Sequence, residues 1–130
     1  MLNSNTLLIT GSVFMALGVA FGAFGAHIVQ DMLSSDRFLV YQTGVEYHFY
    51  HAIGLLIVGA VLLHTENSGW FSLSGYSFIA GILIFSGSLY VLTLTDTGWL
   101  GAITPLGGFA FILGWVFLGV GIAKSQTNSS

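Results

Sequence analysis

Four apolar stretches, each about as long as a bilayer is thick, restrict what this chain can fold into. We predict helices at about residues 6–26, 38–63, 75–95 and 104–123. At 1.5 Å per residue, a helix of about 20 residues spans the ~30 Å hydrocarbon core of a membrane. The first stretch has no preceding Lys or Arg and exceeds the 7–15 residues of a signal-peptide core, so we expect it to remain as a membrane helix.

Composition agrees with a lipid environment. Charged residues make up 5% of the chain, against about 25% in soluble domains, and hydrophobic residues make up 55%. We therefore predict an all-α, multi-pass membrane protein, in which residues 1–130 form one bundle of four transmembrane helices. A net charge of −3 without a basic patch argues against a nucleic-acid partner. The absence of cysteine excludes disulfides and thiolate chemistry.

Small residues recur at seven-residue intervals in the first, third and fourth predicted helices. Lipid tails are as apolar as leucine side chains, so membrane helices associate mainly by close packing, which small residues permit. A seven-residue period favours left-handed crossings near 20°. The glycines that we expect at helix contacts are Gly11, Gly18, Gly22, Gly25, Gly81, Gly107, Gly114 and Gly121.

Polar residues gather at one end of the predicted bundle. With four spans, the connection between helices 1 and 2 and that between helices 3 and 4 lie on the same side of the membrane, and helix 2 enters the bilayer from that side. The predicted polar cluster consists of His27, Arg37, Gln42, Glu46, His51, Tyr90 and Thr104.

Glu46 is the most informative member of that cluster. It follows the apolar boundary near Gly44 by about 3 Å, which is an expensive position for a carboxylate. Such residues usually turn inward and pair, and Arg37 or His27 is the nearest candidate. A role in handling a proton or ligand is the alternative. Gln42, Glu46 and Tyr50 share one helical stripe, which suggests a hydrogen-bond network along it.

Metal and catalytic sites find little support. His48 and His51 are three residues apart and could share an ion, but Glu46 points roughly 140° away from His51 on a regular helix. No Ser–His–Asp set has a helpful context. We therefore expect no metal, no cofactor and no catalytic residue, and we do not expect an enzyme.

Four blocks of the chain resemble a known family. They are GAFGAH at residues 22–27, TGVEYHFYHAIGLL at 43–56, FSGSLYVLTL at 85–94 and TPLGGFAFILGW at 104–115. These blocks are similar, in order, to domain-of-unknown-function family 423, the small YgdD-like bacterial membrane proteins, to which transmembrane protein 256 is related. The resemblance implies a four-helix, multi-pass protein of the cell (inner) membrane without an assigned activity. It also implies cytoplasmic termini, because related sequences often have a basic carboxy-terminal tail.

Three classes of function remain open at this point. The first is a structural or accessory component of a larger membrane complex, with partner subunits or further copies of the chain. The second is a small transporter or channel that handles a proton or small solute through Glu46, His51 and His27. The third is a protein related to lipids or membrane stress.

Overall fold

A computed structural model describes residues 1–66 and 69–127. Within those residues every regular element is helical, and four helices are long and apolar enough to cross a membrane. They are α1 (Ser4–Met32), α2 (Ser35–Leu62), α3 (Gly69–Thr95) and α4 (Thr104–Thr127), the last preceded by a 3₁₀ segment at Gly98–Ala102. The predicted fold class, an all-α protein with four membrane-spanning helices, is thereby confirmed.

Two helix ends differ most from the sequence-based prediction, each by more than one helical turn. α1 ends at Met32 rather than at residue 26, because a π-helical turn at Gly25–Val29 keeps its backbone hydrogen-bonded through the expected break. α3 begins at Gly69 rather than at residue 75, and it contains a second π-turn at Ile82–Ser86. Hydropathy locates only the apolar part of a membrane helix. The helical backbone hydrogen bonds continue beyond that part into more polar sequence, so the observed helices are longer.

Local capping explains where two helices begin and where one ends. The Asn3 side chain accepts a hydrogen bond from the Thr6 amide at 2.8 Å and caps α1. The Ser34 hydroxyl accepts from the Arg37 amide at the start of α2. α3 stops at Asp96, which adopts the left-handed conformation with φ 57°. Asp is one of the few residues that enter this region readily.

The helices are neighbours in space in the same order as in the sequence. α1 packs on α2, α2 on α3 and α3 on α4, whereas the backbones of α2 and α4 approach each other at few positions. α2 and α3 therefore form the centre, and α1 and α4 flank them. The main apolar core includes Leu7, Leu55, Phe71, Phe78 and Phe111.

The outer surface is apolar, as a lipid-facing surface must be. Large hydrophobic side chains on the flanking helices are strongly exposed, among them Ile9, Val19, Leu106, Phe109 and Ile112. A soluble monomer rarely leaves so large an apolar surface open to solvent. The hydrocarbon core of a membrane accepts these side chains without cost.

Candidate functional site

The structure divides the predicted polar cluster among several separate environments. His27, Gln42 and Glu46 are exposed, whereas His51 is buried. The cluster was predicted from shared depth in the membrane. The helix phase, however, directs its members toward different neighbours.

Arg37 lies beside the end of α3. Its guanidinium is 3.6 Å from the Asp96 carboxylate, and it donates a hydrogen bond to the Thr93 carbonyl. Asp96 is 86% exposed, so this pair sits at the polar end of the helices. Arg37, one of the two candidate partners expected for Glu46, therefore pairs with Asp96 instead, because its guanidinium extends to α3.

Glu46 faces outward rather than inward. It is exposed, and the described part of the chain gives its carboxylate no hydrogen bond or ion pair. The inward face of α2 is occupied instead by Tyr41, Gly44 and His48, which are buried. This rotation of α2 about its axis places Glu46 and Gln42 on the outer side of the helix.

A groove of about 560 Å³ lies beside Glu46, between α1 and α2. Gly22, Gly25 and Ala26 form its α1 side, while Gln42 and Glu46 line its α2 side. Small residues on one side and hydrogen-bonding groups on the other make this groove a partly polar recess of the outer surface.

His48 forms an internal polar link that was not predicted from the sequence. Its Nε2 lies 2.8 Å from the Phe14 carbonyl of α1, and its Nδ1 lies 3.0 Å from the Tyr90 hydroxyl of α3. A carbonyl only accepts, so Nε2 carries the proton and Nδ1 accepts from Tyr90 in the neutral ring. His48 therefore joins three helices through two hydrogen bonds. In the sequence, the one sign that His48 faces inward is its spacing from Tyr41 and Gly44, which places the three residues on one face of α2.

His51 has different contacts from His48. Its Nδ1 lies 2.6 Å from the Tyr47 carbonyl, and its ring stacks on Phe111 of α4 with centroids 3.4 Å apart and planes 9° apart. The two histidines thus have different hydrogen-bond partners. His51 lines a second groove, of about 830 Å³, between α2 and α4.

Thr104, another of the predicted polar residues, links α4 to α3. Its hydroxyl lies 2.7 Å from the Ser88 hydroxyl, which links the first turn of α4 to α3. Ser74, about four turns away along the α3–α4 contact, donates to the Gly114 carbonyl at 2.8 Å. Both are short hydrogen bonds between neighbouring helices.

Phenylalanine residues of α3 lie close to glycines of α4 along the α3–α4 contact. At Gly114 and Gly121 the neighbour is an aromatic ring, and at Gly107 it is the backbone and β-carbon of Phe85. Phe71, Phe78 and Phe85 are seven residues apart on α3 and lie against three glycines of α4 with the same spacing. Helices that run in opposite directions bring these two series into register. The pairs are Phe71 with Gly121, Phe78 with Gly114 and Phe85 with Gly107.

The α1–α2 contact uses the same arrangement. Side chains of α2 lie against glycines of α1, and the pairs are Tyr41 with Gly25, Phe49 with Gly18 and Leu56 with Gly11. Gly81 of α3 accommodates Phe111, whereas a β-carbon at Gly22 would have only ordinary contacts, the nearest at 3.6 Å. Gly22 thus contributes less to this contact than the other three.

Comparison with known proteins gives a family but no activity. The profile of the family described as "Protein of unknown function (DUF423)" matches residues 21–108. UPF0382 membrane protein YwdK of Bacillus subtilis is 43% identical over 117 residues, which cover 90% of this chain and 95% of that protein. UPF0382 membrane protein SH2409 of Staphylococcus haemolyticus is 42% identical over 112 residues, covering 85% and 89%. No solved structure matches the chain. The predicted resemblance is confirmed: this membrane protein belongs to the DUF423 family.

Proposed function

We propose that this protein is a structural or accessory component of a larger membrane assembly, which it joins through the groove beside Glu46. The observation that carries this proposal is an exposed carboxylate within a membrane-spanning helix. Glu46 lies nine residues beyond Arg37, or about 14 Å along the helix axis, and so well inside the polar end marked by the Arg37–Asp96 pair. A charged side chain facing hydrocarbon is costly, and a partner that supplies a hydrogen-bond donor removes that cost.

The outer face of α1 supports the same proposal. Ser12, Ala16 and Ala20 follow one another at four-residue intervals and are all exposed. Spacing of this kind lets a neighbouring membrane helix approach closely. α1 packs chiefly on α2, which leaves this face free for a helix of another subunit or of a second copy.

We place the assembly in the inner membrane, with the start of α1 and the end of α4 in the cytoplasm. The family resemblance supports this orientation. The charges do not decide it, because Arg37 lies at one end of the bundle and Lys124 at the other.

The transport alternative requires His27, Glu46 and His51 to share one path. Glu46 and His27 are exposed, while His51 is stacked on Phe111 and lines the groove on the other side of α2. This separation favours the assembly proposal over a proton or solute path through those three residues.

The test compares complexes purified from native membranes in a mild detergent, with intact-complex mass as the readout. We expect a stoichiometric assembly for the wild type, partial loss for Glu46→Gln and greater loss for Glu46→Leu, because glutamine keeps hydrogen-bonding capacity. Glu66→Gln, in the connection after α2, is the matched control and should leave the assembly intact. A wild-type protein that runs as a partner-free monomer, or a Glu46→Leu variant that assembles fully, would overturn the proposal.

Contact at the groove is tested separately with a photoreactive residue. Placed at Gln42, which lines the groove, it should cross-link to the partner. Placed at Leu83, an exposed residue of α3 on another part of the surface, it should not. Equal cross-linking from both positions would show that the association does not use the groove.

A further inference from the structure

The groove between α2 and α4 has the features of a binding site for a small membrane-dissolved molecule. Its volume of about 830 Å³ lies within the range of small-ligand pockets. It exists because α2 and α4 each pack on α3, while their backbones approach each other at few positions. Its walls include the rings of Phe85, Phe109, Phe111 and Trp115.

His51 gives this apolar groove a hydrogen-bond acceptor. Its Nδ1 lies 2.6 Å from the Tyr47 carbonyl, and since a carbonyl only accepts, Nδ1 carries the proton. In the neutral ring, which a hydrocarbon environment favours, Nε2 then bears a lone pair. The described residues provide no hydrogen bond to this nitrogen, so a ligand that donates a hydroxyl proton would complement it.

The shape of the walls favours a flat ring. The His51 and Phe111 rings are nearly parallel, and Tyr47 packs against Phe85 with 4.7 Å between their ring centroids. Aromatic rings pack best against such surfaces in offset or edge-on arrangements. The hydroxyl-bearing rings of Tyr47 and Tyr50, both partly exposed, also line the groove and can donate to a second oxygen.

We propose that this groove binds a quinol, meaning a flat ring with hydroxyl groups and an apolar tail. One hydroxyl donates to Nε2 of His51, the ring lies among the aromatic walls, and the tail extends into the surrounding hydrocarbon. A phospholipid headgroup fits less well, because its phosphate offers only acceptors and no Lys or Arg is among the described residues that line this groove. The inference is independent of the proposed assembly, which uses the groove between α1 and α2.

The experiment is calorimetric titration of the purified protein in detergent micelles, with protein-free micelles as the reference for partitioning. The probes are decyl hydroquinone, kept reduced without oxygen, and its dimethyl ether, which has the same ring and tail but no hydroxyl donor. We expect the ether to bind about three- to 20-fold more weakly, the range that a hydrogen bond within a membrane protein provides. In His51→Phe, which keeps a ring on Phe111, the two probes should bind equally.

A second variant keeps the proposal testable if His51→Phe does not fold. A β-carbon at Gly108 would lie 3.7 Å from Phe85, an ordinary contact, so Gly108→Leu extends into the groove without disturbing His51. This variant should bind both probes more weakly than the wild type. Gly119→Leu, on the open side of α4, should bind both probes as tightly as the wild type. Equal affinity of the wild type for quinol and ether, or displacement of the quinol by a diacylglycerol at matched concentration, would overturn the assignment.

Discussion

The ring of Phe78 occupies the space that a side chain at Gly114 would need, because a β-carbon there would lie 2.5 Å from Cδ1 of the ring. The same ring lies against Gly54 of α2, where a β-carbon would be 3.0 Å from Cε2. Phe78 is fully buried and contacts both neighbours of α3. One aromatic side chain thus holds α2 and α4 at their positions on α3.

We predict that Gly114→Ala destabilises the protein by about 1–3 kcal/mol, the usual cost of an extra methyl group in a packed core. Gly119→Ala is the matched control on the same helix, because no described atom lies within 4 Å of the point that a β-carbon would occupy there. It should be neutral or slightly stabilising, since Ala is the better helix former. The free energy of unfolding in mixed micelles gives the comparison, and equal effects of the two substitutions would contradict the packing described here.

We predict that His48→Leu destabilises the protein more than His48→Gln. Leucine leaves the buried Tyr90 hydroxyl without its nitrogen acceptor, whereas glutamine can still donate and accept. The hydrogen bond between His48 and Tyr90 should contribute about 0.6–1.7 kcal/mol, as measured for other membrane proteins. A double-mutant cycle with Tyr90→Phe isolates this contribution, and a coupling energy of zero would show that the hydrogen bond contributes nothing.

We predict that backbone conformation matters more than charge at Asp96. Its ion pair with Arg37 is largely exposed, so Asp96→Asn should cost less than about 1 kcal/mol. Asp96→Val should cost about 1–2 kcal/mol more, because a β-branched residue resists the left-handed conformation observed at this position. Thermal unfolding at low and high salt distinguishes the two effects. A loss in Asp96→Asn as large as that in Asp96→Val would assign the stability to the ion pair.

We predict that single cysteines label in two groups, which is a clean test because the native chain has no cysteine. Ser35 begins α2 and Thr97 follows α3, so both should react from one side of the membrane. Glu66, after α2, and Ser125, near the end of α4, should react from the other side. Labelling of Ser35 and Glu66 from the same side would contradict the four-span topology.

Much of the fold could be predicted from the sequence because hydrophobic length alone specifies a membrane-spanning helix. The matching seven-residue spacings of Phe71, Phe78 and Phe85 and of three α4 glycines were also readable, although the prediction of helix contacts rested only on the glycines. The continuation of α1 through Gly25–Val29 was not readable, since hydropathy carries no information on backbone hydrogen bonds.

The candidate sites were harder to predict than the fold. We grouped Arg37 with Glu46 because the two residues lie near the same end of α2. Their partners, however, depend on how α2 is rotated about its own axis, and small differences in packing determine that rotation. The contact between His51 and Phe111 joins residues 60 positions apart on helices that are not direct neighbours. No local pattern encodes such a pair.

The agreement between chain order and spatial order has a consequence for biogenesis. Each helical hairpin, α1–α2 and α3–α4, contains its own set of glycine–side-chain pairs, so each can close within the membrane soon after its second helix emerges from the ribosome. Joining the hairpins then requires the contacts that α3 makes with α2 and with side chains of α1 such as Leu7 and Phe21. The helices can therefore insert and pack in the order in which they are synthesised.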